Sequence, residues 1–200
     1  MLFDLTKKKK MRPTVPFYFL RHAETNHNLH KIYDDSSDVE INENGIMQAQ
    51  NIKEVLDACQ ITTVCCSPLR RAQETKQIVM SQRQYSDVML EELEECSSKQ
   101  WRIFIAAESR PLHPDEELEI EPFLGSTRVW LEKIATLAPP VLVVAHGGTY
   151  WALNYLLQIG GDRRIGNCCL IKINPPAGAA EVQANMQSRE EYVIERFNYN

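Results

Sequence analysis

The residues with the clearest chemical potential are an arginine and a histidine that follow a short apolar segment. Residues 15–20 have the composition of a buried strand, and Arg21 and His22 come directly after them. In an open α/β sheet, ligands bind beyond the carboxyl ends of the strands. A guanidinium group matches the geometry of a phosphate, and a neutral imidazole is a competent nucleophile near pH 7. The pair therefore indicates an anion site at the rim of a sheet.

Two further segments deliver similar side chains. Residues 141–145 form a second apolar run, and His146 follows it together with two glycines. Arg70 and Arg71 come just after a short strand-like run, in the first turn of a predicted helix, where free N–H groups favour an anion. Neighbouring side chains on a helix point about 100° apart, so only one of these two arginines can face the rim.

The elements that must position these residues alternate between strand-like and helix-like patterns. We predict strands at residues 15–20, 62–66, 88–90, 141–145, 168–173 and 192–197. We predict helices at residues 45–60, 68–80, 122–137 and 149–159, with Ser67 as the N-cap of the second helix. This alternation predicts an α/β fold, namely a three-layer α/β/α sandwich with a mostly parallel central sheet.

Size and charge narrow the domain organisation. The chain has 200 residues, which fits one domain, and its net charge of -5 argues against a general nucleic-acid binder. We expect residues 1–14 to be a basic extension, in which Lys7–Lys10 form a solvated tail or a docking element for a partner or a membrane surface. Residues 15–200 are expected to be a single domain. Within it, residues 91–121 hold ten carboxylates and predict a partly helical, acidic insertion over the active site.

Membrane and metal patterns are weak in this sequence. No apolar run approaches the roughly 18 residues that span a bilayer, and we see no signal-peptide pattern. We therefore expect no stable membrane insertion. The six cysteines lack the CxxC spacing of a zinc site, so we expect reduced thiols, no metal, no cofactor and a cytoplasmic location. The oligomeric state stays open.

Four motifs in sequence order resemble those of the histidine phosphatase superfamily, which includes phosphoglycerate mutases and small phosphatases. Residues 20–28 are similar to the motif L-R-H-G-E-[ST]-x-x-N, with Ala23 in place of the usual glycine. Residues 38–49 resemble D-x-P-L-T-x-x-G-x-x-Q-A, and residues 67–72 match S-x-L-x-R-A. Residues 145–148 match the motif of the second histidine. The resemblance implies a phosphoglycerate mutase-like fold.

The resemblance also implies a mechanism. His22 would attack phosphorus and become a phosphohistidine, from which water would release phosphate. Because cationic side chains stabilise the charge of a transferring phosphoryl group, no metal is required. The groups that the resemblance assigns to the phosphoryl oxygens are Arg21, Asn28, Arg71, His146 and the backbone N–H of Gly147.

The leaving alkoxide needs a proton, so a carboxylic acid is expected nearby. In the family this donor follows a pattern like L-x-E, and the sequence after Leu90 then predicts Glu92 as the proton donor. Glu94 and Glu95 compete for the same role, because the segment contains several carboxylates close together.

The expected function is therefore hydrolysis of a phosphomonoester, as in a histidine acid-type phosphatase. Because ten carboxylates near the entrance would repel several phosphates, we expect a small substrate with one phosphate, or a phosphopeptide. Two alternatives stay open at this point. One is a phosphoglycerate mutase-type phosphotransferase, and the other is a catalytically silent protein that binds a phospho-ligand on the same fold.

Overall fold

One mixed sheet lies at the centre of the protein. The computed structural model describes residues 14–159, 162–176 and 193–197. The strands of this part of the chain are β1 (Phe17–Arg21), β2 (Thr63–Cys66), β3 (Ser86–Met89), β4 (Val141–Ala145), β5 (Leu170–Asn174) and β6 (Val193–Phe197). Their order in the sheet is β3-β2-β4-β1-β5-β6. The first four are mutually parallel, β5 runs antiparallel to β1, and β6 runs antiparallel to β5, so the expected mostly parallel sheet is confirmed.

Helices cover both faces of this sheet. They are α1 (Asn26–His30), α2 (Glu43–Asp57), α3 (Arg70–Val79), α4 (Ser98–Ala106), α5 (Pro114–Ile134) and α6 (Gly147–Leu157), with a 3₁₀ turn at Glu91–Leu93. Alternate side chains of a strand point to opposite faces. In β4, Val143 packs with the core under α5 and α6, whereas Val144 packs with the core under α2 and α3. The three-layer prediction is therefore confirmed.

The fifth helix is longer than the sequence pattern indicates. We predicted a helix over residues 122–137, but α5 begins at Pro114 and contains Pro122 in its interior. Its start is stabilised by three acidic residues in the first turn and by a bond from the His113 N–H to Glu116 Oε2 of 2.9 Å. A proline lacks the N–H that a helix interior uses, so Pro122 removes one bond without ending this well-packed helix.

The start of α3 also differs from the prediction. Ser67 is not its N-cap, because the helix begins at Arg70 and Leu69 occupies the cap position. The Arg70 N–H instead donates to Asp38 Oδ1 at 2.8 Å. The Ser67 hydroxyl instead lies 2.8 Å from Nε2 of His146. The other predicted elements are present with ends shifted by a few residues.

The expected basic extension lies almost entirely outside the described residues, because residues 1–13, which include Lys7–Lys10, are not among them. Among the residues that are described, no helix is both long and apolar enough to cross a bilayer. No disulfide joins any of their cysteines.

Candidate active site

Two neighbouring parallel strands bring the two histidines together. In the register of β1 and β4, Arg21 lies beside Ala145, so the next residue of each strand is a histidine at the same edge. The His22 N–H donates to the Ala145 carbonyl at 2.8 Å, which holds the two strand ends together. The ring centroids of His22 and His146 are 5.2 Å apart, and both side chains are buried.

The environment of His22 favours a neutral ring in which one nitrogen keeps a free lone pair. Its Nδ1 lies 2.8 Å from the Ala23 carbonyl oxygen, which can only accept, so Nδ1 carries the proton and Nε2 does not. Burial lowers the pKa of His22 well below its usual value of 6.5, and the charges of Arg21 and Arg71 lower it further. The ring is therefore ready to act as a nucleophile through Nε2 at neutral pH.

His146 is held by Ser67, the residue that was predicted to cap α3. Its Nε2 lies 2.8 Å from Ser67 Oγ. Its other ring nitrogen, Nδ1, is buried and has no hydrogen-bond partner among the described residues, so it is available to a ligand. Burial, and then the positive charge of Arg71, lower the pKa of His146 well below 6.5.

Two guanidinium groups approach the histidines from different elements. Arg21 donates through Nη1 to the Ile165 carbonyl at 2.7 Å, and its Nε is buried without a partner in the described part of the chain. Arg71 is partly buried, and its charge acts on both imidazoles. Arg70 is exposed and pairs with Glu74 at 2.8 Å, so Arg71 is the one that faces the rim.

Small polar side chains fix the loops that carry these groups. Thr75 Oγ1 accepts from the Ala23 N–H at 2.9 Å and donates to the Arg71 carbonyl at 2.7 Å, which links β1 to α3. Asn167 donates to Asn28 Oδ1 at 2.9 Å and to the His22 carbonyl at 3.2 Å. Asn28 therefore lies beside the His22 loop. The supporting role of Thr75 was not recognised from the sequence.

The structure brings Glu95, and not Glu92, to the histidines. Glu92 Oε1 accepts from Lys133 Nζ of α5 at 2.6 Å, and this bond lowers the pKa of Glu92, which favours the charged form. The ion pair holds Glu92 at α5, and the carboxylate that meets the histidines is a different one. A carboxylate oxygen of Glu95 lies within 4.8 Å of ring nitrogens of both His22 and His146.

Similarity to known proteins identifies the family. The sequence model of the histidine phosphatase superfamily (branch 1) matches residues 17–186. This chain belongs to that superfamily. The adenosylcobalamin/alpha-ribazole phosphatase of Escherichia coli (strain K12) is 34% identical over 86 residues, which cover 43% of this chain and 42% of that protein. The match thus spans less than half of that relative.

Two other superfamily members extend the comparison. An uncharacterized phosphatase of Bacillus subtilis (strain 168), PhoE, is 29% identical over 172 residues, which cover 77% of this chain and 85% of that protein. The crystal structure of a putative alpha-ribazole-5'-P phosphatase from Escherichia coli superimposes with a TM-score of 0.64 at 20% identity. It covers 92% of this chain and 96% of that chain. This likeness supports the same fold.

The charge of this superfamily site suits an anion better than a cation. His22, Glu95 and His146 are ligand types that a divalent metal can use. However, Arg21 and Arg71 place two positive charges beside them, and each charge acts on the imidazoles. These charges oppose a dication and attract an oxyanion.

Part of the acidic segment 91–121 borders the same site. It supplies Glu95 and also Trp101 of α4. A Cβ atom at Gly147 would lie 3.7 Å from an atom of the Trp101 ring and 3.6 Å from Arg21 Cζ. The indole and the guanidinium therefore both lie close to the start of α6.

Proposed function

We propose that this protein is a phosphoric monoester hydrolase that works through a phosphohistidine on His22. The observation that carries the proposal is the convergence of two neutral imidazoles and two guanidinium groups on one buried site. A tetrahedral dianion is the ligand whose charge and hydrogen-bonding capacity such a set matches. Membership of the superfamily agrees with this chemistry.

In the first step, the lone pair of His22 Nε2 forms a bond to phosphorus while the ester P–O bond breaks. The electron pair of that bond leaves with the alcohol oxygen, which takes a proton from a carboxylic acid. In the second step, water attacks phosphorus and gives a proton to the same carboxylate, the P–N bond breaks, and its electron pair returns to His22 Nε2. Arg21, Arg71 and His146 would stabilise the oxygens of the transferring group in both steps.

Glu95 is our candidate for the proton donor. Its carboxylate is the one near both imidazoles, and its exposure is intermediate, so it can reach both the site and an entering alcohol group. Glu92 pairs with Lys133, and Glu94 is exposed. Asn28 and the Gly147 N–H remain proposed binding groups for the phosphoryl oxygens.

We propose a small substrate with one phosphate. The described site has two guanidinium groups, and one carboxylate already offsets part of their charge. A second phosphate would meet the acidic segment rather than another cation. The thiols of the described residues fit a reducing compartment such as the cytoplasm, which we also propose.

The test is phosphate release from p-nitrophenyl phosphate and from a panel of small phosphomonoesters, without added 2,3-bisphosphoglycerate. We expect turnover that falls by at least about 1,000-fold in His22→Ala, because the nucleophile is lost. His113→Ala is the matched control, since His113 is exposed and contributes its backbone N–H to α5. Rapid acid-free quenching should trap phosphate on His22.

Three outcomes would speak against parts of this proposal. Transfer that requires 2,3-bisphosphoglycerate would indicate a mutase. Tight phosphate binding without turnover across the panel would indicate a binding protein. Full activity in His22→Ala would exclude the proposed nucleophile.

A further inference from the structure

The carboxylate of Glu95 occupies a position that is suited to a bound anion. Its Oε1 accepts from the Gly148 N–H at 2.9 Å and from the Cys96 N–H at 3.0 Å. Gly148 lies in the first turn of α6, which has eleven residues. Free N–H groups at the start of a helix favour negative charge, so the carboxylate is bound there as a ligand would be.

The cationic groups of the site also act on this carboxylate. Burial lowers the pKa of Arg21 and of Arg71, and in both cases the negative charge of Glu95 is the largest influence in the opposite direction. One of its oxygens shares the space between the two histidines. Thus the four side chains that the proposed function assigns to phosphate are arranged around Glu95.

Building on the proposed function, we propose that Glu95 is an internal competitor for phosphate. An entering phosphoryl group displaces its carboxylate from the cradle formed by the Gly148 and Cys96 N–H groups, toward the leaving-group oxygen that Glu95 is proposed to protonate. Both groups are anions, and a carboxylate oxygen of Glu95 already lies within 4.8 Å of ring nitrogens of His22 and His146, so the two anions compete for one space. The displacement weakens the binding of every phosphate-bearing ligand, inorganic phosphate included. The consequence for turnover is fast release of product.

The local chain geometry permits this displacement. Glu95 lies between the 3₁₀ turn Glu91–Leu93 and α4, so no helix fixes its backbone. Its side chain is partly exposed, whereas its neighbours Leu93 and Cys96 are buried and hold the segment in place. Rotation of the side chain can therefore move the carboxylate without unfolding the segment.

The experiment is a titration with inorganic phosphate at low ionic strength, in which isothermal titration calorimetry measures the dissociation constant. It compares the wild type with Glu95→Gln, Glu95→Ala and Glu91→Gln. Glutamine keeps the oxygen that accepts from Gly148 but removes the charge. Like charges repel strongly in a partly buried site, so we expect Glu95→Gln to bind phosphate at least about tenfold more tightly than the wild type.

The other variants separate charge from space and from surface effects. Glu95→Ala also vacates the cradle, and we expect affinity at least equal to that of Glu95→Gln. Glu91→Gln makes the same charge change at an exposed position, and its dissociation constant should stay within about twofold of the wild type. Thermal unfolding of each variant establishes that the fold is kept.

The results also separate this inference from the proposed function. Equal or weaker phosphate binding in both Glu95 variants, with hydrolysis by the wild type intact, would overturn the internal competitor alone. Absence of phosphate binding in every variant, together with absence of turnover, would overturn both. Tighter binding in Glu95→Gln, abolished when Arg71→Ala is added, would support the inference.

Discussion

Gly148→Ala tests the position of Glu95 without changing any charge. A Cβ atom at this position would lie 2.4 Å from Glu95 Oε1 and 2.3 Å from Cys96 Sγ. Both distances are well inside van der Waals contact. Because the added methyl group takes the place of the carboxylate, Glu95 must leave its bond to the Gly148 N–H or the preceding segment must move.

The effects on stability and on catalysis differ in size. Overpacking costs about 1–3 kcal/mol, and the better helix propensity of alanine offsets up to about 1 kcal/mol of that in the first turns of α6. The protein should therefore fold. A positioned proton donor contributes about 100-fold to 10,000-fold to the rate. Because the added Cβ also meets Cys96 Sγ, the segment that carries Glu95 must shift, and kcat for an alkyl phosphate should fall by about 100-fold.

The assay compares two leaving groups. p-Nitrophenolate leaves without a proton, whereas the alkoxide of glycerol phosphate needs one, so only the second reaction should fall steeply in Gly148→Ala. Gly147→Ala is the matched control, because its Cβ would meet its nearest atoms at 3.6 Å, an ordinary contact. We expect its ratio of the two kcat values to stay close to that of the wild type. An equal fall for both substrates in Gly148→Ala would refute Glu95 as the proton donor.

Four further predictions concern the side chains of the site and the serine that holds His146. Arg71→Ala should lower kcat/KM by at least about 100-fold, because a bidentate charged contact is lost, whereas Arg70→Ala should change it by less than about threefold in the same steady-state assay. Imidazole ¹⁵N NMR should show His22 and His146 neutral at pH 6.0, since both pKa values are lowered well below 6.5; a midpoint at or above 6.5 would contradict this. As pH falls below about 6.5, each ring should therefore cost up to about 1.4 kcal/mol of stability per pH unit, because the unfolded chain takes up protons first. Ser67→Ala should lower the free energy of unfolding by about 1–3 kcal/mol in urea titrations, because it leaves His146 Nε2 buried without a partner.

The meeting of the two histidines could be predicted because it depends on strand ends. Each of the two apolar segments ends in a histidine or in an arginine followed by a histidine, and parallel strands place their carboxyl ends at one edge. The register of β1 with β4 then makes His22 and His146 neighbours. The choice between Arg70 and Arg71 needed the resemblance, since helical geometry alone requires only that one of them faces outward.

The identity of the nearby carboxylate could not be predicted in the same way. Several glutamates occur within a few residues, and local pattern does not distinguish them. Two distant contacts decide between them: Lys133, 41 residues from Glu92, and the Gly148 N–H, 53 residues from Glu95. The long helix α5 was missed for a related reason, because packing overrides the local signal of Pro122.

The balance of charge in the site links these observations to the choice of substrate. Arg21 and Arg71 are cationic, His22 and His146 are neutral, and Glu95 supplies one negative charge. A phosphomonoester dianion neutralises both guanidinium groups only when the carboxylate has left the cradle or has taken up a proton. A ligand with a second phosphate would find no cation left in the described site, whereas a singly charged ligand would compete poorly with Glu95 itself. Displacement of Glu95 therefore selects for a ligand that carries one doubly charged phosphate.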